Sequence, residues 1–153
     1  MKTTTQGSTK TKRVGYWIAT GLAAFAFLAG GAADLAATPD MLASMAHLGY
    51  PPYLTTILGV WKLLGAVAIL APGFPRLKEW AYAGMFFDLT GAAVSHAAVN
   101  DGAAKILTPL VLLGIVAASW ALRPESRTLK ASAKDAARSP SSHPVSPEAS
   151  LAT

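Results

Sequence analysis

The sequence predicts an all-α protein, an integral membrane four-helix transmembrane bundle, and three observations lead there. Of its 153 residues 52% are hydrophobic and only 14% charged, against about 25% charged in average globular domains. The deficit is concentrated: residues 14–122 carry nine charged side chains, Asp34, Asp40, Lys62, Arg76, Lys78, Glu79, Asp88, Asp101 and Lys105, and the flanks carry the other twelve. The apolar runs are long, rich in Ala, Leu and Gly, and lack the period-two alternation of half-buried strands. The length fits a single domain. Cysteine is absent, which excludes a disulfide framework, thiolate metal sites and a CxxC shuttle.

The first helix is expected over about residues 14–37. Residues 14–33 are twenty consecutive uncharged positions, enough to cross a hydrocarbon core of ~30 Å at ~1.5 Å per residue. The second, about 53–71, is interrupted by Lys62, and the third, about 80–98, by Asp88. The fourth covers about 104–122, of which residues 106–122 are uncharged. Pro109 should kink it, with Thr108 compensating locally. The separators are turn-rich: Thr38-Pro39-Asp40, Gly49-Tyr50-Pro51-Pro52, Ala71-Pro72-Gly73-Phe74-Pro75 and Asn100-Asp101-Gly102. A soluble bundle would show a polar stripe along each helix, and the first and last runs have none.

Loop charges set the expected orientation. Four spans leave both termini on one face, which then holds eleven of the thirteen basic residues; the opposite loops hold only Lys105. The positive-inside rule makes that face cytoplasmic. Tyr16, Trp17, Trp80, Tyr82 and Trp120 are expected as inner aromatic anchors and Tyr50 and Tyr53 as outer ones. Residues 1–13 and 123–153 are expected as disordered cytoplasmic tails, too polar to offset chain entropy. A signal peptide is the alternative for the first run, but its twenty apolar residues exceed the ~7–15 of a typical h-region. The net charge of +5 is thus a topology signal. No folded basic face suggests a nucleic-acid partner; the expected partner is the lipid bilayer.

Polar residues within the spans are the candidate site. Lys62 lies ~13.5 Å below the outer edge and Asp88 ~12 Å above the inner one, so their depths nearly coincide. A lone charge at mid-bilayer costs ~2.5–3.5 kcal/mol on insertion scales, so the two are expected to neutralise each other. Gly59, Lys62 and Ala66 share one stripe and Gly84, Asp88, Ala92 and Ser95 another, small-residue faces that let helices approach. Gly30-Gly31 has the character of a further close-packing contact. The pair can be a ligand or proton site, or a packing lock. A second group, Asp34 with His96 and His47, is expected near the outer face, where it could relay protons or simply meet lipid headgroups. Its lack of ligand spacing gives no metal site. Trp61, beside Lys62, is a packing residue or the flank of a flat ligand.

Several motifs carry a family resemblance. Leu48-Gly-Tyr-Pro51, Gly59-Val-Trp-Lys-Leu-Leu-Gly65, Pro75-Arg-Leu-Lys-Glu-Trp-Ala-Tyr-Ala-Gly84, and Phe87-Asp-Leu-Thr-Gly91 with Ser95-His96 together resemble the DoxX-like family over roughly residues 16–124. The resemblance implies a small four-helix protein of the bacterial inner membrane. Named relatives are subunits of thiosulfate:quinone oxidoreductase or accompany redox enzymes at the membrane. It marks Lys62, Asp88 and His96 as motif positions without assigning them roles, and makes quinone the one cofactor to consider. Three functions follow as expectations. The first is a partner or anchor subunit of a membrane redox system, through a redox-enzyme partner or self-association. The second is an intramembrane quinone-linked oxidoreductase. The third, a small proton-coupled transporter, is weakened by four short helices without repeats.

Overall fold

A computed structural model of the protein describes residues 5–124. Among these residues there are five α-helices and no strand: α1 Thr5–Ala36, α2 Pro39–His47, α3 Tyr53–Leu70, α4 Pro75–Ala98 and α5 Ala103–Ala121. Three of them contain stretches long and apolar enough to cross a membrane, Lys10–Ala36, Tyr53–Leu70 and Ala103–Ala121. The expected third span falls within α4, where Arg76, Lys78, Glu79 and Asp88 dilute the apolar run. The first helix continues back to Thr5, beyond its expected start at residue 14. Residues 1–4 and 125–153, where most of the expected tails fall, lie outside the described residues.

The helix α2 is an addition to the sequence expectation, which had only a turn at Thr38-Pro39-Asp40. The Thr38 side chain accepts a hydrogen bond from the Met41 amide at 3.4 Å, Pro39 opens the helix and Asp40 sits in its first turn. That is an N-cap, a pre-set φ and a favourable charge at the positive helix end. The reversal between α3 and α4 needs left-handed backbone at Gly73 (φ 71°) and Phe74 (φ 49°), after which Pro75 starts α4. The α2 end of the molecule carries α2 and the loops at 48–52 and 99–102. The opposite, tail end carries the 71–74 turn and Leu122.

Packing follows a heptad-like stripe on α1: Tyr16, Thr20, Ala23, Phe27 and Asp34 are all buried. This face meets α3 most extensively and α5 next, while α4 packs on α5 and α3. The apolar core between them joins Ala23, Ala24, Phe27, Ala66, Ile69, Tyr82, Met85, Leu89 and Val116. The outward faces are apolar as well, with Phe25 72%, Phe87 71% and Trp80 78% exposed. In water such surface would be a liability; against hydrocarbon it is the expected exterior. Together with the uncharged helix lengths, this makes the chain a membrane protein.

Closest contact is made where α1 crosses α3. A Cβ on Gly59 would lie 2.9 Å from the Gly31 carbonyl oxygen and 3.1 Å from Asp34 Cβ, and one on Gly31 only 3.0 Å from the Gly59 carbonyl oxygen. Backbone therefore touches backbone, as small residues at helix crossings allow. The glycines of α4 behave differently. A Cβ on Gly84 or Gly91 would meet nothing within 4 Å, so that stripe borders open space rather than a neighbour.

Toward the tail end the core turns polar. Ser119 Oγ is 2.6 Å from Thr20 Oγ1 and 2.7 Å from the Tyr82 hydroxyl, tying α1, α4 and α5 together. Lys78 is fully buried and donates to the carbonyls of Ala68, at 2.9 Å, and Ala71. It supplies donors to the otherwise unfilled carbonyls at the α3 C-terminus and is not the loop charge the sequence suggests. Tyr16 and Tyr82 are 0% and 5% exposed, so they serve the core and not an interfacial belt. Trp17, Trp80 and Trp120 do face outward. Glu79 accepts from Trp120 Nε1 at 2.9 Å and from Arg123 Nη2 at 2.7 Å, closing α4 onto the end of α5.

Candidate functional site

Beside the glycine crossing, α1 and α3 bring a carboxylate and an ammonium together. Asp34 stands three residues beyond Gly31 and Lys62 three beyond Gly59. Side chains lean toward the N-terminus of their own helix, and the two helices run in opposite directions, so these two lean toward each other. Lys62 Nζ donates to Asp34 Oδ2 at 2.8 Å and lies 3.9 Å from Asp88 Oδ1 on α4. Asp34 is 1% exposed and its Oδ1 accepts no hydrogen bond among the described residues. One ammonium thus faces two carboxylates, and the pair expected from sequence, Lys62 with Asp88, is the looser half of a triad.

Of the expected grouping of Asp34 with His47 and His96, Asp34 and His96 border one cavity, but neither histidine bonds Asp34. The histidines gather instead on Asp101, which the sequence reading treats only as part of a turn. His96 Nδ1 is 2.6 Å from Asp101 Oδ2 and His47 Nε2 is 3.0 Å from Oδ1, with Lys105 Nζ at 3.2 Å. The bond from His96, followed by those from His47 and Lys105, holds the Asp101 carboxyl well below the usual carboxylate range. This clasp ties α2, the end of α4 and the start of α5. Ser95, also a candidate, back-bonds to the Gly91 carbonyl at 2.8 Å and meets the Tyr50 hydroxyl at 2.7 Å. Tyr50 therefore makes a specific contact and is more than the outer anchor its position suggested.

Two cavities meet at the triad. One, of about 450 Å³, runs toward the tail end between α3 and α4, walled by Phe27, Trp61, Leu77, Trp80, Gly84 and Phe87, with Lys62 and Asp88 as its charged residues. The other, of about 480 Å³, runs toward the α2 end past Asp34, Lys62, Asp88, Tyr50, Ser95 and His96. Both lie within the ~300–1,000 Å³ range of small-molecule sites. The open stripe at Gly84 and Gly91 explains their existence: without side chains there, α4 leaves a furrow in front of Asp88. The furrow also explains why Lys62 sits closer to Asp34 than to Asp88. Trp61, 68% exposed, flanks the first cavity instead of packing in the core.

The arrangement can hold a molecule with an apolar body against aromatic walls while a polar head meets an ammonium donor and carboxylate acceptors. The signal for Asp34 was present in the sequence as matching spacings from Gly31 and Gly59. The signal for Asp101 was its position five residues beyond His96, across the end of α4.

Comparison with known proteins agrees with the motifs from which the resemblance was drawn. No curated protein and no solved structure matches the chain. A family profile does, over residues 18–119, which takes in the triad and most of all four long helices. With two thirds of its length matched, the chain belongs to the DoxX-like family.

Proposed function

We propose that the protein is a membrane subunit of a redox system whose own part is to hold a lipid-soluble, quinone-type ligand beside Asp34, Lys62 and Asp88. The observation that carries this reading is the meeting of two cavities at one half-buried ammonium. A flat ring fits between Trp61, Phe87 and Phe27, and its oxygen can accept from Lys62 Nζ. In this reading α4 is a fourth span, giving a four-helix bundle over about residues 14–37, 53–71, 80–98 and 104–122. Support comes from its 24-residue length and the pairing of its one central charge, Asp88. Both termini face the cytoplasm of a bacterial inner membrane, because the basic residues flank that end of every span. The ligand-site role is favoured over a bare anchor because an anchor requires no cavity at its charged centre. Ser95 and His96 border the same space and line the head-group side.

The test is binding of a decyl-chain benzoquinone to the purified protein in nanodiscs, read by quenching of tryptophan fluorescence. Saturable quenching that weakens in Trp61→Phe and disappears in Lys62→Met is expected. Quenching that rises linearly with quinone, or survives Lys62→Met unchanged in a folded protein, overturns the proposal. The partner role is tested separately, by mild-detergent purification at native expression; recovery of this chain alone counts against it.

A further inference from the structure

We propose that the Asp34–Lys62–Asp88 centre binds one exchangeable proton between its two carboxylates and trades it with water at the α2 end only. The inference deepens the ligand-site reading and rests on it for the function of the proton, while the chemistry below stands on the triad alone.

Charge arithmetic is the first support. The groups facing the centre are Asp34 from α1, Lys62 from α3 and Asp88 from α4, with His96 further along α4. From α5 the shared cavity receives only Leu112, and from α2 and its following loop Met41, Ser44, Met45, Leu48 and Tyr50, none of them a carboxylate or an amine. Fully ionised, the triad carries one uncompensated negative charge in a low-dielectric setting, where such a charge is costly. Two carboxylates facing one ammonium remove it when either of them takes up a proton. The second support is Asp34 Oδ1, an acceptor buried against the cavity with no donor among the described residues. Lys62 occupies Oδ2 and leaves the other oxygen unfilled.

Access is the third support. From Asp88 the larger cavity passes Gly91, Ala92 and Ser95 on one face of α4 and reaches His96. His96 bonds Asp101, which bonds His47, and the His47 side chain is 48% exposed. A chain of exchangeable groups therefore leads from the triad to the α2 surface. Toward the tail end, the other cavity is lined beyond Lys62 and Asp88 by apolar and tryptophan side chains alone. The step itself is simple: a proton from water at the α2 end forms an O–H bond on an Asp34 or Asp88 oxygen and later returns by the same path, with no electron transferred.

Dicyclohexylcarbodiimide, which reacts with protonated carboxyl groups from the lipid phase, reads this directly. The full chain is reconstituted in sealed vesicles, its orientation fixed by a single cysteine added to a tail of the otherwise cysteine-free protein. The modified peptides are quantified by mass spectrometry after pH jumps on either face between about pH 5 and 9. Expected are up to one adduct per chain, on Asp34 or Asp88, a yield set by the pH on the α2 face, and a response about tenfold or more slower in His96→Gln. Asp88→Asn removes the excess negative charge and leaves Asp34 ionised against Lys62, so labelling should fall to background in that variant. No adduct at any pH, two adducts per chain, or a yield set by the pH on the tail face overturns the proposal. Quinone binding is read in its own assay, so its failure alongside one-sided labelling rejects the ligand and leaves the proton site.

Discussion

Replacing Gly59 by alanine should loosen the whole molecule at the point where its charged centre is built. The new Cβ would lie 2.8 Å from Leu35 Cγ, 2.9 Å from the Gly31 carbonyl oxygen and 3.1 Å from Asp34 Cβ. Comfortable separations between carbon atoms are about 3.5–4.0 Å, so the shortfall approaches 1 Å. Leu35 can rotate, but the Gly31 oxygen is backbone, and relief requires α1 and α3 to move apart. Overpacking of this kind costs about 1–3 kcal/mol, while alanine returns up to about 1 kcal/mol of helix propensity. The net loss is about 1–2 kcal/mol, roughly a five- to thirtyfold shift in the unfolding equilibrium. Separation also stretches the 2.8 Å bond between Lys62 and Asp34. The assay is unfolding of detergent-solubilised protein by increasing dodecyl sulfate, followed by far-ultraviolet circular dichroism. Gly21→Ala and Gly84→Ala are the controls, because a Cβ at either meets nothing within 4 Å. If Gly59→Ala unfolds no earlier than these two, the glycine crossing is not a close contact and the account of how the triad is assembled fails.

Three further outcomes are expected. Lys62→Met leaves Asp34 buried without its partner and should cost about 3–5 kcal/mol, most of it recovered in the Lys62→Met/Asp34→Asn double variant; coupling between Lys62 and Asp88 in the same cycle should be clearly smaller, and an inverted order would refute the distances. Ser119→Ala strips a partner from both Thr20 and Tyr82 and should cost about 1–3 kcal/mol, more than Tyr82→Phe, in the same dodecyl sulfate titration. Because the Asp101 carboxyl is held low in the folded protein, its contribution is complete above its ordinary value near ~3.9 and fades as pH falls below that. Melting temperatures should therefore be steady in this clasp's contribution down to about pH 4 and then drop, whereas Asp101→Asn should melt lower throughout and lose that acid-dependent part. A variant retaining the full acid response would show that another carboxylate governs it.

The sequence makes the long apolar helices legible because uncharged length is a one-dimensional property, and the motifs around Lys62 and Asp88 carry the family. What it obscures is direction around each helix and the reach of long side chains. Counting residues places Lys62 deeper than Asp34 by Cα position, but a lysine side chain leaning toward its helix N-terminus closes that gap. The same blindness makes Tyr16 and Tyr82 look like belt residues: their depth along the helix is readable, their inward azimuth is not. Lys78 is misread for a related reason, since a charge beside a loop can fold under the preceding helix end. The helix α2 was legible in principle, because Thr-Pro-Asp is an N-cap sequence as much as a turn.

Lys78 has a bearing on how the chain could be built into a bilayer. Two of its hydrogen bonds go to carbonyls only seven and ten residues earlier in the chain, so the turn between α3 and α4 itself solvates part of that charge. Those two bonds can form as soon as α3 and α4 fold back on each other. Lys62 is in the opposite position, since its nearest carboxylate comes from a helix made earlier and docked from outside the hairpin. Two lysines sixteen residues apart in sequence thereby differ in what they wait for: one makes bonds within its own turn, and the other needs the first helix in place.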